Sequence, residues 1–229
     1  MPANGTPLRI EAAPSPRAAL ELSIVSPALG ELITAADPGA YSVGLALSGA
    51  LDDVNGIEVA LDAGRPRRLA PGRSGVSLNE LLPADSALSQ GAHWLFAAPV
   101  SASGLVPRRA PDGLRVALAR RFFVGQVPSA EAGPSGAVWL RSPEGTYNGA
   151  RRADRVLFDA YAFSATGALL DAPCTLLLRG PGISGEMRQA SPFFGLELAS
   201  GEYEASVSSA GARASSTRFT VNRELGGGP

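Results

Sequence analysis

"LSQGAHWLFAAPVSASG" (Leu88–Gly104) and "LASGEYEASVSSAG" (Leu198–Gly211) are two writings of one phrase. Each opens on Leu, reaches Gly three residues later and places a ring two residues beyond it: His93 in the first, Tyr203 in the second. A run of apolar and small residues follows and stops at another Gly. In Greek-key sandwiches a Leu ends one strand, a Gly makes the tight turn and a Tyr opens the penultimate strand. The Tyr hydroxyl then returns a hydrogen bond to the corner backbone. "LASGEY" fits that corner, and "LSQGAH" fits it with His in the Tyr position. The expected corner residues are therefore Leu88, Gly91 and His93 in the first copy and Leu198, Gly201 and Tyr203 in the second.

Working outward, the two halves agree in order as well. Each begins with an apolar stretch running into Ser-Pro and a Gly: "LSIVSPALG" (Leu22–Gly30) and "VWLRSPEG" (Val138–Gly145). Each continues with an aromatic and aliphatic segment, "YSVGLAL" (Tyr41–Leu47) or "RVLFDAYAF" (Arg155–Phe163). Next comes "IEVALDAGRP" (Ile57–Pro66) or "CTLLLRGPG" (Cys174–Gly182). After the shared phrase, each half closes on Phe-x-Val, in "RFFVG" (Arg121–Gly125) and "RFTVN" (Arg218–Asn222). Ordered self-similarity of this kind means duplication of one supersecondary unit.

The segments themselves read as strands. Tyr41, Val43, Leu45 and Leu47 fall on one face of an extended chain, as do Ile57, Val59 and Leu61, which is the half-buried strand pattern. Punctuation by 27 Gly and 19 Pro suits sandwiches or barrels. "LNELLPADSALSQ" (Leu78–Gln90) has room for one short helical turn. "GQVPSAEAGPSG" (Gly125–Gly136) has no apolar periodicity and marks a linker or tight junction.

Composition bounds the function. A 229-residue chain with 45% hydrophobic and 18% charged residues can build one large core or two smaller ones. Its 20 basic residues are all Arg and stand against 21 acidic ones, for a net charge of −1. No global field therefore favours nucleic acid or an anionic membrane. The single Cys174 permits no internal disulfide. No apolar run reaches the ~18 residues of a bilayer span. The opening "MPANGTPLRIEAAPSPRAA" has neither the basic nor the apolar region of a signal peptide and reads as a tether. A cytoplasmic protein and a mature form whose leader was replaced by Met1 both fit that start.

Candidate chemistry is sparse. "GPGISG" (Gly180, Gly182, Gly185) matches the dinucleotide fingerprint in form, but "EMRQASPFFG" after it is short and broken by Pro192. No helix N-terminus follows to hold a pyrophosphate, and a hairpin turn is expected. His93 is the sole histidine, and no G-x-S-x-G elbow accompanies it. One His and one Cys cannot form the core of a zinc site, so no metal, cofactor or catalytic residue is assigned. Cys174 opens an apolar strand and is expected to be buried and inert. "DDVNG" (Asp52–Gly56) lacks the spacing of a calcium loop and reads as a polar turn. Two Arg clusters remain, one of Arg65, Arg67, Arg68 and Arg73, the other of Arg108, Arg109, Arg115, Arg120 and Arg121. Guanidiniums suit contacts to carboxylates or phosphates. No stacking rings accompany them, which argues against nucleic acid.

On these motifs both halves resemble bacterial immunoglobulin-like β-sandwich repeats. The first half, from "SPALG" through "LSQGAHWL" to "RFFVG", is similar to uncharacterised bacterial extracytoplasmic proteins, often lipoproteins. The chain departs from antibody-type domains in lacking paired Cys, and it has no lipobox Cys near its start. The resemblance implies an all-β fold of two tandem antiparallel sandwiches, at 18–126 and 136–223. An extended arm (1–17), a linker (127–135) and a tail (224–229) complete the chain. It further implies a non-catalytic structural or accessory subunit docking on a larger cell-envelope assembly, with a membrane-associated assembly among the expected partners. The N-terminal arm and Arg65, Arg67, Arg68, Arg108 and Arg109 are the expected contacts with protein partners. The alternative is a carbohydrate or surface-ligand module. Extracytoplasmic placement follows from the resemblance, and a cytoplasmic one from the missing signal peptide.

Overall fold

The computed structural model describes residues 20–49, 54–62, 64–70, 72–101, 117–125, 136–143, 145–148, 155–189, 193–209 and 212–223. The period-two segments become strands because each has one face that a neighbouring sheet can cover. The first half contains β1 (Glu21–Ser26), β2 (Leu32–Ile33), β3 (Ser42–Ser48), β4 (Val54–Leu61), β5 (Arg67–Leu69), β6 (Gly75–Ser77), β7 (Gly91–Ser101) and β8 (Leu118–Val124). The second contains β9 (Ala137–Ser142), β10 (Gly145–Asn148), β11 (Val156–Phe163), β12 (Cys174–Gly180), β13 (Ile183–Gln189), β14 (Phe193–Leu196), β15 (Gly201–Ser209) and β16 (Ala212–Asn222).

The halves match strand for strand. In the first, a sheet in the order β1-β3-β6 faces one in the order β2-β8-β7-β4-β5. In the second, β9-β11-β14 faces β10-β16-β15-β12-β13, and a single parallel pair, Arg213 opposite Ala137, links the two. The short strands β2 and β10 each run parallel to the last strand of their half. Both halves are thus immunoglobulin-like sandwiches, built twice on one plan. Each has its own core. Ile24, Val43, Leu45, Val59, Leu95 and Phe122 fill the first, and Phe158, Leu176, Leu178, Tyr203, Val207 and Phe219 fill the second. Burying each such side chain stabilises the fold by about 1.5–3 kcal/mol.

Four very short strands (β2, β5, β6, β10) and β13 carry too little apolar pattern to be read from sequence. Edge strands are kept short and charged to discourage further pairing, and "RRL" of β5 is such an edge. The expected helical turn is a 3₁₀ turn at Leu78–Leu81, closed by a capping box between Ser77 and Glu80. "GPGISG" is the hairpin between β12 and β13, and Cys174 is buried. "DDVNG" differs in part: Asn55 and Gly56 already belong to β4, with a bulge between Val54 and Gly56. Asp52 and Asp53 lie outside the described residues, as do the arm, the linker and the tail.

The relation between the halves is the main structural finding. A third apolar cluster, separate from both cores, joins them. On β7, Leu95 and Ala97 point into the first core, while Trp94, Phe96 and Ala98 point the other way. On β9 and β11, Val138, Leu140 and Ala160 face the second core, while Trp139, Tyr161 and Phe163 face outward. These two outer faces meet. The sandwiches are stacked sheet on sheet, four layers deep.

Candidate functional site

Both corners are built on glycine backbone that L-residues avoid: φ is +119° at Gly91 and +147° at Gly201. Two residues on, Tyr203 donates its hydroxyl to the Ala199 carbonyl at 3.0 Å. Burial raises its pKa, against the opposing pull of that hydrogen bond and of Arg223. Leu198 packs in the core, and its carbonyl accepts Arg223 Nε at 2.9 Å. In the first corner His93 Nε2 lies 2.9 Å from the Ser89 carbonyl, the same four-residue step back along the chain. Leu88 packs half-buried against the first core.

His93 is committed on both sides. Its Nδ1 lies 2.7 Å from Asp62 Oδ2. A carbonyl can only accept, so Nε2 carries a hydrogen, and neither ring nitrogen is left as a base aimed at a substrate. Asp62 holds a left-handed φ of +53°, and its Oδ1 accepts the Trp94 amide at 2.8 Å. The Asp–His pair therefore ties the end of β4 to the start of β7. It borders a crevice of ≈ 330 Å³ between the sandwiches, into which Ser89, Trp94, Ala137 and Ser215 also project. Among the described residues no cluster of three or more His, Cys, Asp or Glu could hold a metal.

The Arg residues expected at a partner surface are exposed where described. Arg67 donates to the Glu80 carbonyl at 2.8 Å and lies 3.3 Å from its carboxylate. Arg68 reaches Asn55 and the Ser101 carbonyl. Arg65 borders a shallow groove with Arg179, Glu204 and Arg218 of the second sandwich. Arg108 and Arg109 lie outside the described residues.

The seam between the sandwiches is the feature that sequence reading missed. Phe96 is its centre, stacked on Trp139 at 5.6 Å and tilted against Phe163 at 5.6 Å, both from the other half. Trp94 and Tyr161 extend the stack on either side, and Gly167 brings the turn after β11 within bare-backbone distance of Ala119. One polar cluster accompanies the rings. Arg141 on β9 places Nη1 2.7 Å from Asp159 of β11 and Nε 2.7 Å from Glu58 of β4, in the first sandwich. Burial pushes the Glu58 carboxyl up, and its pairing with Arg141 does not reverse this, because Arg141 is shared and the Asp159 charge adds to the rise. Burial alone would lower the Arg141 guanidinium, but Glu58 and Asp159 hold it above its usual value. The signal was present in the sequence: "HWLFAAPV" and "AYAF" do not alternate, because both faces of those strands are covered.

No protein-family model matches this chain, and no curated protein is detectably similar in sequence. Solved structures with related architecture include fibronectin(III)-like modules of Clostridium thermocellum CbhA. They are 16% identical with a TM-score of 0.29, over 89% of this chain and 94% of theirs. The D00–D0 domain of intimin is 10% identical with a TM-score of 0.26, over 89% of this chain and 97% of its own. A Bacteroides ovatus protein of a mixed-linkage glucan utilization locus, solved with a heptasaccharide, is 10% identical with a TM-score of 0.26, over 89% and 71%. The fold assignment rests on the strand order, and none of these likenesses bears on activity.

Proposed function

We propose that the chain is a non-catalytic structural or accessory subunit that docks on a larger protein assembly of the cell envelope. The observation that carries this reading is how the chemistry-bearing side chains are employed. His93 holds a corner through both ring nitrogens, and the buried Arg141 and Asp159 hold the seam. The alternative carbohydrate module asks for exposed rings on which sugars stack. Both Trp, Tyr161 and Tyr203 are instead buried in the seam or a core, and Tyr41 and Tyr147 are half-buried. The exposed Arg65, Arg67 and Arg68 edge and the N-terminal arm are the surfaces assigned to the partner.

Cross-linking of the full chain in its producing cell, followed by sizing of the native extract, tests the reading. The chain is expected in a complex larger than its own 23.4 kDa, and Arg65→Glu with Arg68→Glu, or removal of residues 1–18, weakens it. Migration as a free monomer would overturn the docking role. A turnover that disappears in His93→Ala would overturn the non-catalytic one.

A further inference from the structure

We propose that Glu58, Arg141 and Asp159 form a proton-operated latch between the two sandwiches: neutral Glu58 holds the seam closed, and ionised Glu58 eases it open. The three side chains come from both halves. Arg141 and Asp159 sit on adjacent strands of the second sandwich and stay together whatever the first does. Glu58 belongs to the first sandwich and reaches Arg141 across the seam at 2.7 Å. Opening therefore leaves Arg141 and Asp159 as a self-contained pair and returns Glu58 alone to water.

Among the described residues, the charged groups acting on Glu58 are Arg68, opposite it on β5, Arg141 from β9 and Asp159 from β11. Its β7 neighbour, Ala98, is uncharged. Closure asks Arg141 to serve the buried Asp159 and also Glu58, whose side chain is largely but not wholly withdrawn from water. The lost hydration of Glu58 outweighs what Arg141 and Arg68 return. A neutral Glu58 avoids that cost, and its carbonyl oxygen can still accept from Arg141.

The sign follows from the raised folded value of Glu58. The closed state binds the proton more tightly than the open state. Closure is therefore favoured below the ordinary glutamate value of 4.5, and that advantage is lost as pH rises through the folded value. Each unit of upward shift makes the open fraction about tenfold larger on the alkaline side.

The chain carries its own probe. Trp139 Nε1 is buried at the centre of the seam with no hydrogen-bond partner among the described residues. Its resistance to hydrogen exchange therefore measures seam closure alone. The experiment follows exchange of this indole hydrogen by NMR from about pH 5 to about pH 8, corrected for the intrinsic rate, in the wild type and in Glu58→Gln. Amides of β12 and β15 monitor unfolding of the second sandwich as a whole. The latch predicts that wild-type indole protection falls with rising pH while the β12 and β15 amides hold steady. It predicts that Glu58→Gln stays at the acid-side level throughout. Wild-type protection that is independent of pH would overturn the proposal, and that series decides the question even if the variant is poorly folded. A fall that persists in Glu58→Gln, or that the core amides share, would overturn it equally.

Discussion

Gly91 and Gly201 occupy the same corner in the two repeats but do not meet the same surroundings. A methyl group at Gly201 would lie 2.4 Å from Pro181 Cγ, whereas at Gly91 it would meet nothing within 4 Å. Gly91→Ala should cost only the left-handed strain, about 1–2 kcal/mol. Gly201→Ala should cost more, because Pro181 must also move. Denaturant midpoints of the two variants check the order, and a smaller loss at Gly201 would contradict it. Tyr203→Phe should lower stability by about 1 kcal/mol through the lost bond to Ala199. At the same scale, Glu80 is held below its usual value by the Ser77 backbone N–H and by Arg73 and Arg67. Its stabilisation is full above the ordinary value of 4.5 and is lost as pH falls through the lower folded value. Glu80→Gln should flatten that part of the acid-unfolding profile, and an unchanged profile would exclude the capping box as its cause.

At the scale of elements, legibility followed the apolar pattern. Tyr41–Leu47 alternates because one face of β3 meets the core and the other is small or polar. Ile57–Leu61 alternates because β4 carries only Glu58 and Ala60 on the face it turns to the seam, so β3 and β4 could be read directly. The L-x-x-G-x-[H/Y] phrase located the openings of β7 and β15, since a tight turn and a ring leave marks in residue type. Edges such as β5 could not be read, because their stability comes from a neighbour's backbone and not from their own side chains. Nor could the Glu58–Arg141–Asp159 cluster, whose members lie far apart in the chain and meet only once the sandwiches stack. The unbroken run "HWLFAAPV" was the visible trace of that stacking: β7 buries its even-numbered side chains against the other half. Phe96 makes the point testable. It belongs to the seam and to neither core, so Phe96→Ala should cost about 3–5 kcal/mol while leaving both corners in place. Unchanged chemical shifts around Tyr203 and His93, with a lowered unfolding midpoint, would bear this out. Loss of the corner signals would show that Phe96 supports a core after all.

For the whole molecule, the duplicated unit has diverged in what its outer faces carry. In the second repeat Trp139 and Tyr161 turn outward on β9 and β11; their register equivalents in the first are Ser23 and Ala46 on β1 and β3. One copy was thus fitted to dock on its sibling, while the small, partly exposed face of the other offers no rings for a third layer pair. The central claim is that these two faces meet in a dry aromatic seam. The only two Trp residues of the chain, Trp94 and Trp139, both lie within it. Native tryptophan emission with acrylamide quenching at mildly acidic pH is therefore the most direct test. A seam as described predicts blue-shifted emission and both rings shielded from quencher, with Phe96→Glu releasing them together while far-UV circular dichroism keeps its β character. Red-shifted emission and free quenching in the folded wild-type chain would show that the sandwiches stand apart, and would contradict the account.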